Sequence, residues 1–191
     1  MGRSVVGAVL ATVAMYVWGF AFWGASGIPY STWKQTPDDR GAAAALREHF
    51  PESGVYFVPG TGNPPEVRTE LHDAGPTGFV IVDVDGRPEF DPGIMIRGFA
   101  LNAVIVVLLI VLLRLAGPAL PSYGARVGFS AAAGLFAVVL VNFGDAVWWA
   151  LPWSWESMQA LYNFSAVLIA GAIVARFVPE AGATARREEA G

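Results

Sequence analysis

The stretch GFALNAVIVVLLIVLL, residues 98–113, lies between Arg97 and Arg114 and contains no charged side chain. As a helix rising 1.5 Å per residue it would reach only about 24 Å, short of the roughly 30 Å hydrocarbon core of a bilayer. Apolar residues 94–96 and 115–116 extend it while the two arginines snorkel outward. It therefore reads as a membrane-spanning helix. Three further apolar blocks are of the same kind: residues 4–24, residues 127–151 stopped by Pro152, and residues 158–175 ended by Arg176. The sequence predicts an integral membrane protein, mainly α, built as a four-transmembrane-helix bundle with a small α+β extracytoplasmic domain inserted between helices 1 and 2. Composition agrees, since only 15% of residues are charged, against about 25% in soluble domains.

Basic residues set the direction. If the spans alternate, Arg3, Arg114, Arg126 and Arg176 fall on one side, with Arg186 and Arg187 following in the tail. The other side has Arg97 beside a span and no basic residue in the turn at 152–157. This asymmetry places both termini in the cytoplasm and residues 25–96 outside it. Trp23, Trp148, Trp149, Trp153 and Trp155 then gather at the outer interface, where an indole has one apolar and one wet side. The first span is longer than the apolar part of a signal peptide and no A-x-A site follows it, so it reads as an uncleaved helix. The expected division is 1–24 for the cytoplasmic N-terminus and helix 1, 25–96 for the extracytoplasmic domain, 97–178 for helices 2–4, and 179–191 for a solvated cytoplasmic tail.

Several functions are excluded by what the chain lacks. With no Cys there are no disulfides, thiolate metal sites or Cys nucleophiles. The net charge of −4, without a sizeable basic patch, argues against nucleic acid. Neither His49 nor His72 lies in a span, so haem or chlorophyll would find no imidazole ligand there. No convincing third ligand accompanies the two histidines, and no metal or other cofactor is expected. Lys34 is the only lysine beside abundant Arg, Ala, Gly and Val, a composition associated with GC-rich bacterial genomes.

The segment 25–96 carries eleven acids against five basic residues, a net −6. Thr36-Pro37-Asp38-Asp39 reads as a helix start, with Thr36 capping and Pro37 in the first position; the helix should end at His49 or Phe50, before Pro51. Residues 54–58 and 79–84 read as strands, the second followed by Asp85-Gly86 as a hairpin turn. A Pro/Gly loop over 59–65 and a helical turn over 66–72 lie between them. So small a core is marginal, and the domain is expected to rest on the helix ends or on a partner. Asp83-x-Asp85-Gly86 meets the cation Arg87 at the next ligand step of a calcium loop, and Gly60-Thr61-Gly62 lacks the Lys of a phosphate loop; both are read as turns.

Polar residues inside the spans are the candidate site. Asp145 lies about 9 Å below the end of span three, with Asn142 three residues before it and Trp149 four after it on one helical face. Asn163 in span four and Asn102 in span two enter at nearly the same depth, and Trp18 of span one at or slightly below it. Arg97 is the candidate charged partner at the rim. A carboxylate at that depth is costly and is a functional candidate by default; the alternative is a hydrogen-bonded cluster that ties the helices together. Small residues, Ala131-Ala132-Ala133-Gly134 and Ala166, Ala170, Gly171 and Ala172, allow close packing of spans three and four or of a neighbouring helix.

Val17-Trp18-Gly19 in span one, Ser53-Gly54-Val55-Tyr56-Phe57-Val58-Pro59 in the loop, and Trp148-Trp149 before the last turn resemble a group of small, uncharacterised bacterial inner-membrane proteins. The resemblance implies four helices with one large periplasmic loop after helix 1, and no activity or catalytic residue. The leading expectation is a non-catalytic accessory subunit of a larger bacterial inner-membrane complex, with a photosynthetic or respiratory electron-transfer assembly as the candidate class. Its partners would be the bilayer and other membrane subunits, with lipid, quinone or carotenoid in contact. The alternatives are a small transporter or quinone-interacting membrane enzyme using Asp145, and a periplasmic ligand sensor.

Overall fold

The computed structural model describes residues 2–178; the tail over 179–191 lies outside the described residues. The chain is mainly helical and has the build of a multi-pass membrane protein, with four helices long and apolar enough to cross a bilayer. Helix α1 (Gly2–Gly19) continues through a π turn (Phe20–Ala25) into a short 3-10 turn (Pro29–Thr32). Helix α4 (Pro92–Leu115) forms the second long helix. The third begins as α5 (Tyr123–Val138), widens into a π turn (Val139–Phe143) and closes as α6 (Gly144–Trp148). The fourth is α7 (Trp153–Ala175).

Local chemistry explains these limits. Proline opens α4, where its missing N–H costs nothing. Ser122 caps α5 by accepting a hydrogen bond from the Ala125 amide at 3.1 Å. The expected start of the fourth span at residue 158 is corrected to Trp153. Pro152 does not hold a turn open; its carbonyl accepts from the amides of Trp155 and Glu156, both at 3.0 Å, and so starts the helix. Glu156, excluded from the spans by the hydropathy reading, thus sits in the first turn of α7.

The described spans pack through small residues. Helices α1 and α7 run antiparallel, with Gly7 against Phe177, Trp18 bonded to Ser165 and Trp23 against Trp155. A methyl on Gly7 would stand 2.6 Å from Phe177 Cβ. On the other side of α7, Gly134 faces Val167, and a methyl on Gly171 would collide with Ser130. Tyr16 of α1 meets Phe99 of α4 edge-on, and Ala11, Met15, Val106, Leu109, Ala170 and Val174 form the centre of the core.

Arg126 lies at the end of the bundle where the other arginines were expected, but it is buried, with only 6% exposed. Its guanidinium donates to the carbonyls of Val178 (2.8 Å), Ala175 (3.4 Å) and, through Nε, Leu120 (3.3 Å). It therefore caps the C-terminal, electronegative end of α7 and ties the α4–α5 connection to it.

Lys34–Asp91 forms a separate compact unit. It holds α2 (Asp39–His49), β1 (Gly54–Val58), α3 (Pro65–Ala74) and β2 (Gly78–Val82). The strands pair antiparallel from Gly54↔Val82 to Val58↔Gly78. Asp38, not Thr36, caps α2, because its carboxylate reaches the Gly41 amide at 3.0 Å while Thr36 accepts from the Asp38 amide. The expected hairpin at Asp85-Gly86 does not form: β2 pairs back to β1, and the chain then bends, with Gly86 at φ +70°. Neither helix contributes a buried residue. The α+β domain expected here is accordingly reduced to a two-stranded ribbon with two short helices and no layered core.

Candidate functional site

Correcting the start of the fourth span changes the candidate site. Glu156 is 1% exposed and Asn142, across the α6–α7 turn, is 4% exposed. Asn142 Nδ2 donates to Glu156 Oε2 at 3.0 Å, and Gln159 Nε2 donates to Oε1 at 3.3 Å. Asn163 Nδ2 donates to Asn142 Oδ1 at 3.2 Å. One carboxyl and three amides therefore form a single chain of hydrogen bonds joining the π turn of the third span to the first turns of the fourth.

The position suits a carboxyl group. Within the first turn of α7 it lies at the electropositive end of the helix dipole. The π turn places Asn142 opposite it. Such one-turn expansions inside α-helices are uncommon and often occur where a side chain must be re-aimed. Every buried side-chain nitrogen or oxygen among the described residues has a hydrogen-bond partner. The buried members of the cluster, Glu156 and Asn142, are thus fully paired.

Of the residues singled out from sequence, Asn142 and Asn163 meet here, and Asp145 does not join them. Its side chain is half-buried, while its main-chain carbonyl accepts from the amides of Trp149 and Leu151. The π turn removes the regular 3.6-residue spacing on which a shared face of Asn142 and Asp145 depended. Asn102 is half-buried on α4 and Arg97 is exposed near its start; neither belongs to the amide chain. Trp149 is 53% exposed. Glu156 and Gln159 were missed, although a proline followed four residues later by an acid is a helix-start signal.

An aromatic layer borders the cluster. Trp18 Nε1 donates to Ser165 Oγ at 2.9 Å, and its ring meets Phe22 at 5.7 Å. Trp23 contacts Trp155 at 5.8 Å and Tyr162 at 5.5 Å, and Trp33 contacts Trp155 at 5.9 Å. Trp153 packs on Phe143, whereas Trp148 is 82% exposed. These tryptophans lie toward one end of the bundle, and Arg3, Arg114, Arg126 and Arg176 toward the other. No group of three or more potential metal ligands occurs among the described residues. Compared with protein-family models, curated proteins and solved structures, the chain gives no match.

Proposed function

We infer that the chain is a non-catalytic accessory subunit of a larger assembly in a bacterial inner membrane. Both termini would be cytoplasmic, and residues 25–96 would serve as a periplasmic contact segment. The observation that carries this reading is the self-satisfied amide–carboxyl chain. An acid–base or transport site needs a carboxyl group able to exchange partners, whereas Glu156 has both oxygens engaged, one by Asn142 of the third span and one by Gln159 of its own helix. Two further features support it. The long helices bury only between 22% and 33% of their apolar windows within the chain, leaving much surface for lipid or neighbouring helices. The unit Lys34–Asp91 has almost no core of its own, and a partner would supply one. The arginines at one end and tryptophans at the other fit the basic end inside.

Purification in mild detergent followed by native mass measurement tests the assembly. The expected result is a particle heavier than the 20.3 kDa chain, with other polypeptides in fixed ratio. A lone monomer would overturn it. Reporter fusions test the orientation: a fusion after Pro118 should report the cytoplasm and one after Gly86 the periplasm.

A further inference from the structure

A groove of about 740 Å³ opens along the surface of the bundle, with its walls on α1 and α7. Its volume is within the range of about 300–1,000 Å³ typical of sites for small ligands. Leu10, Val13, Ala14 and Val17 line it from α1, and Ala172 and Ile173 from α7. Its polar groups lie at one end, where Arg176 and Tyr123 line it. The Arg176 guanidinium stands 6.0 Å over the Tyr123 ring, and the Tyr123 hydroxyl donates to the Ala172 carbonyl at 3.2 Å.

Length, apolarity and charge bear on the occupant. The α1 side of the groove runs from Leu10 to Val17, seven residues along the helix. Seven residues at 1.5 Å each make about 10 Å, roughly two thirds of the depth of one leaflet of a bilayer core about 30 Å thick. The groove therefore fits within one leaflet, is apolar along α1, and is cationic at the end where Arg176 stands. We propose that it binds one anionic phospholipid, with an acyl chain along α1 and the phosphate on Arg176. An anion at Arg176 matches the general behaviour of basic sites among transmembrane helices. Small side chains at Ala14 and Ala172 leave room for the chain, and the planar guanidinium can hold two phosphate oxygens at once.

The full chain, stripped of lipid and placed in nanodiscs with equal amounts of phosphatidylglycerol and phosphatidylcholine, tests this by native mass spectrometry of retained lipid. One phosphatidylglycerol should be retained, preferred by about fivefold, and Arg176→Gln should abolish the preference. Arg114→Gln, at the same end of the bundle but outside the groove, should leave it unchanged. Ala14→Trp, or Val17→Trp at a more exposed groove position, should remove the retained lipid while thermal stability holds. Equal retention of the two lipids overturns the proposal. So does an equal effect of the two arginine variants, unchanged retention in both tryptophan variants, or an isoprenoid recovered in place of phospholipid. The measurement involves no other subunit, so its failure is distinct from that of the assembly reading.

Discussion

Replacing Glu156 by Leu keeps most of the side-chain volume and removes both acceptors of the amide chain. Asn142 Nδ2, buried with its residue 4% exposed, then has no partner, and Gln159 loses its own. Leaving a buried donor unpaired costs about 1–3 kcal/mol. Hydrogen bonds between transmembrane helices average only about 0.6 kcal/mol by double-mutant cycles. Gln159 is half-buried and Asn163 is exposed, and both can turn toward other partners, so the Asn142 term dominates and the total should be about 1–3 kcal/mol. For a chain of this size that corresponds to a fall of about 2–12 °C in Tm, read by thermal unfolding in detergent. The decisive measurement is Asn142→Leu with Glu156→Leu. With donor and acceptor both removed, the orphaned group disappears and at least half of the lost stability should return. If the double variant instead loses the sum of the two single effects, the residues are not coupled and the clasp is wrong.

The contact between Gly171 and Ser130 is equally testable. Gly171→Ala should lower stability by about 1–3 kcal/mol through overpacking, and Ser130→Gly should restore it because the colliding atoms belong to the Ser130 side chain. Arg126→Met should expose the connection over residues 117–122 to proteolysis, as it releases the carbonyls of Leu120, Ala175 and Val178; Arg126→Lys should protect it only in part, lacking the planar fork. Hydrogen exchange on the full chain held as a monomer should find the amides of Lys34–Asp91 far less protected than those of the spans, since its two-stranded sheet covers almost nothing. Protection equal to that of α7 would show that the unit has a core after all.

The four spans were legible because sixteen or more uncharged, mostly apolar residues in succession have few other uses in a chain. The strand at 54–58 and the helix ending at His49 were legible for local reasons, namely a run of β-branched and aromatic residues and a proline stop. The clasp was not. A hydropathy window stops at a charge, so Glu156 was assigned to a turn although a helix N-terminus is where an acid is best tolerated. The π turn over Val139–Phe143 has no local signature, and without it the phase from Asn142 to Asp145 could not be known. Arg126 was counted only as one of the basic residues on its side, because the sequence shows its sign and not the three carbonyls waiting for it.

The tryptophans of the aromatic layer also make it an optical device. Trp23 and Trp33 each meet Trp155 within 6 Å, with ring planes inclined by 64° and 56°. Transition dipoles so close and so tilted couple, and a coupled set absorbs left and right circularly polarised light unequally. The chain should therefore carry a strong near-ultraviolet dichroism that fades once the first and fourth helices separate. Their association could then be followed in an intact membrane without attaching a label.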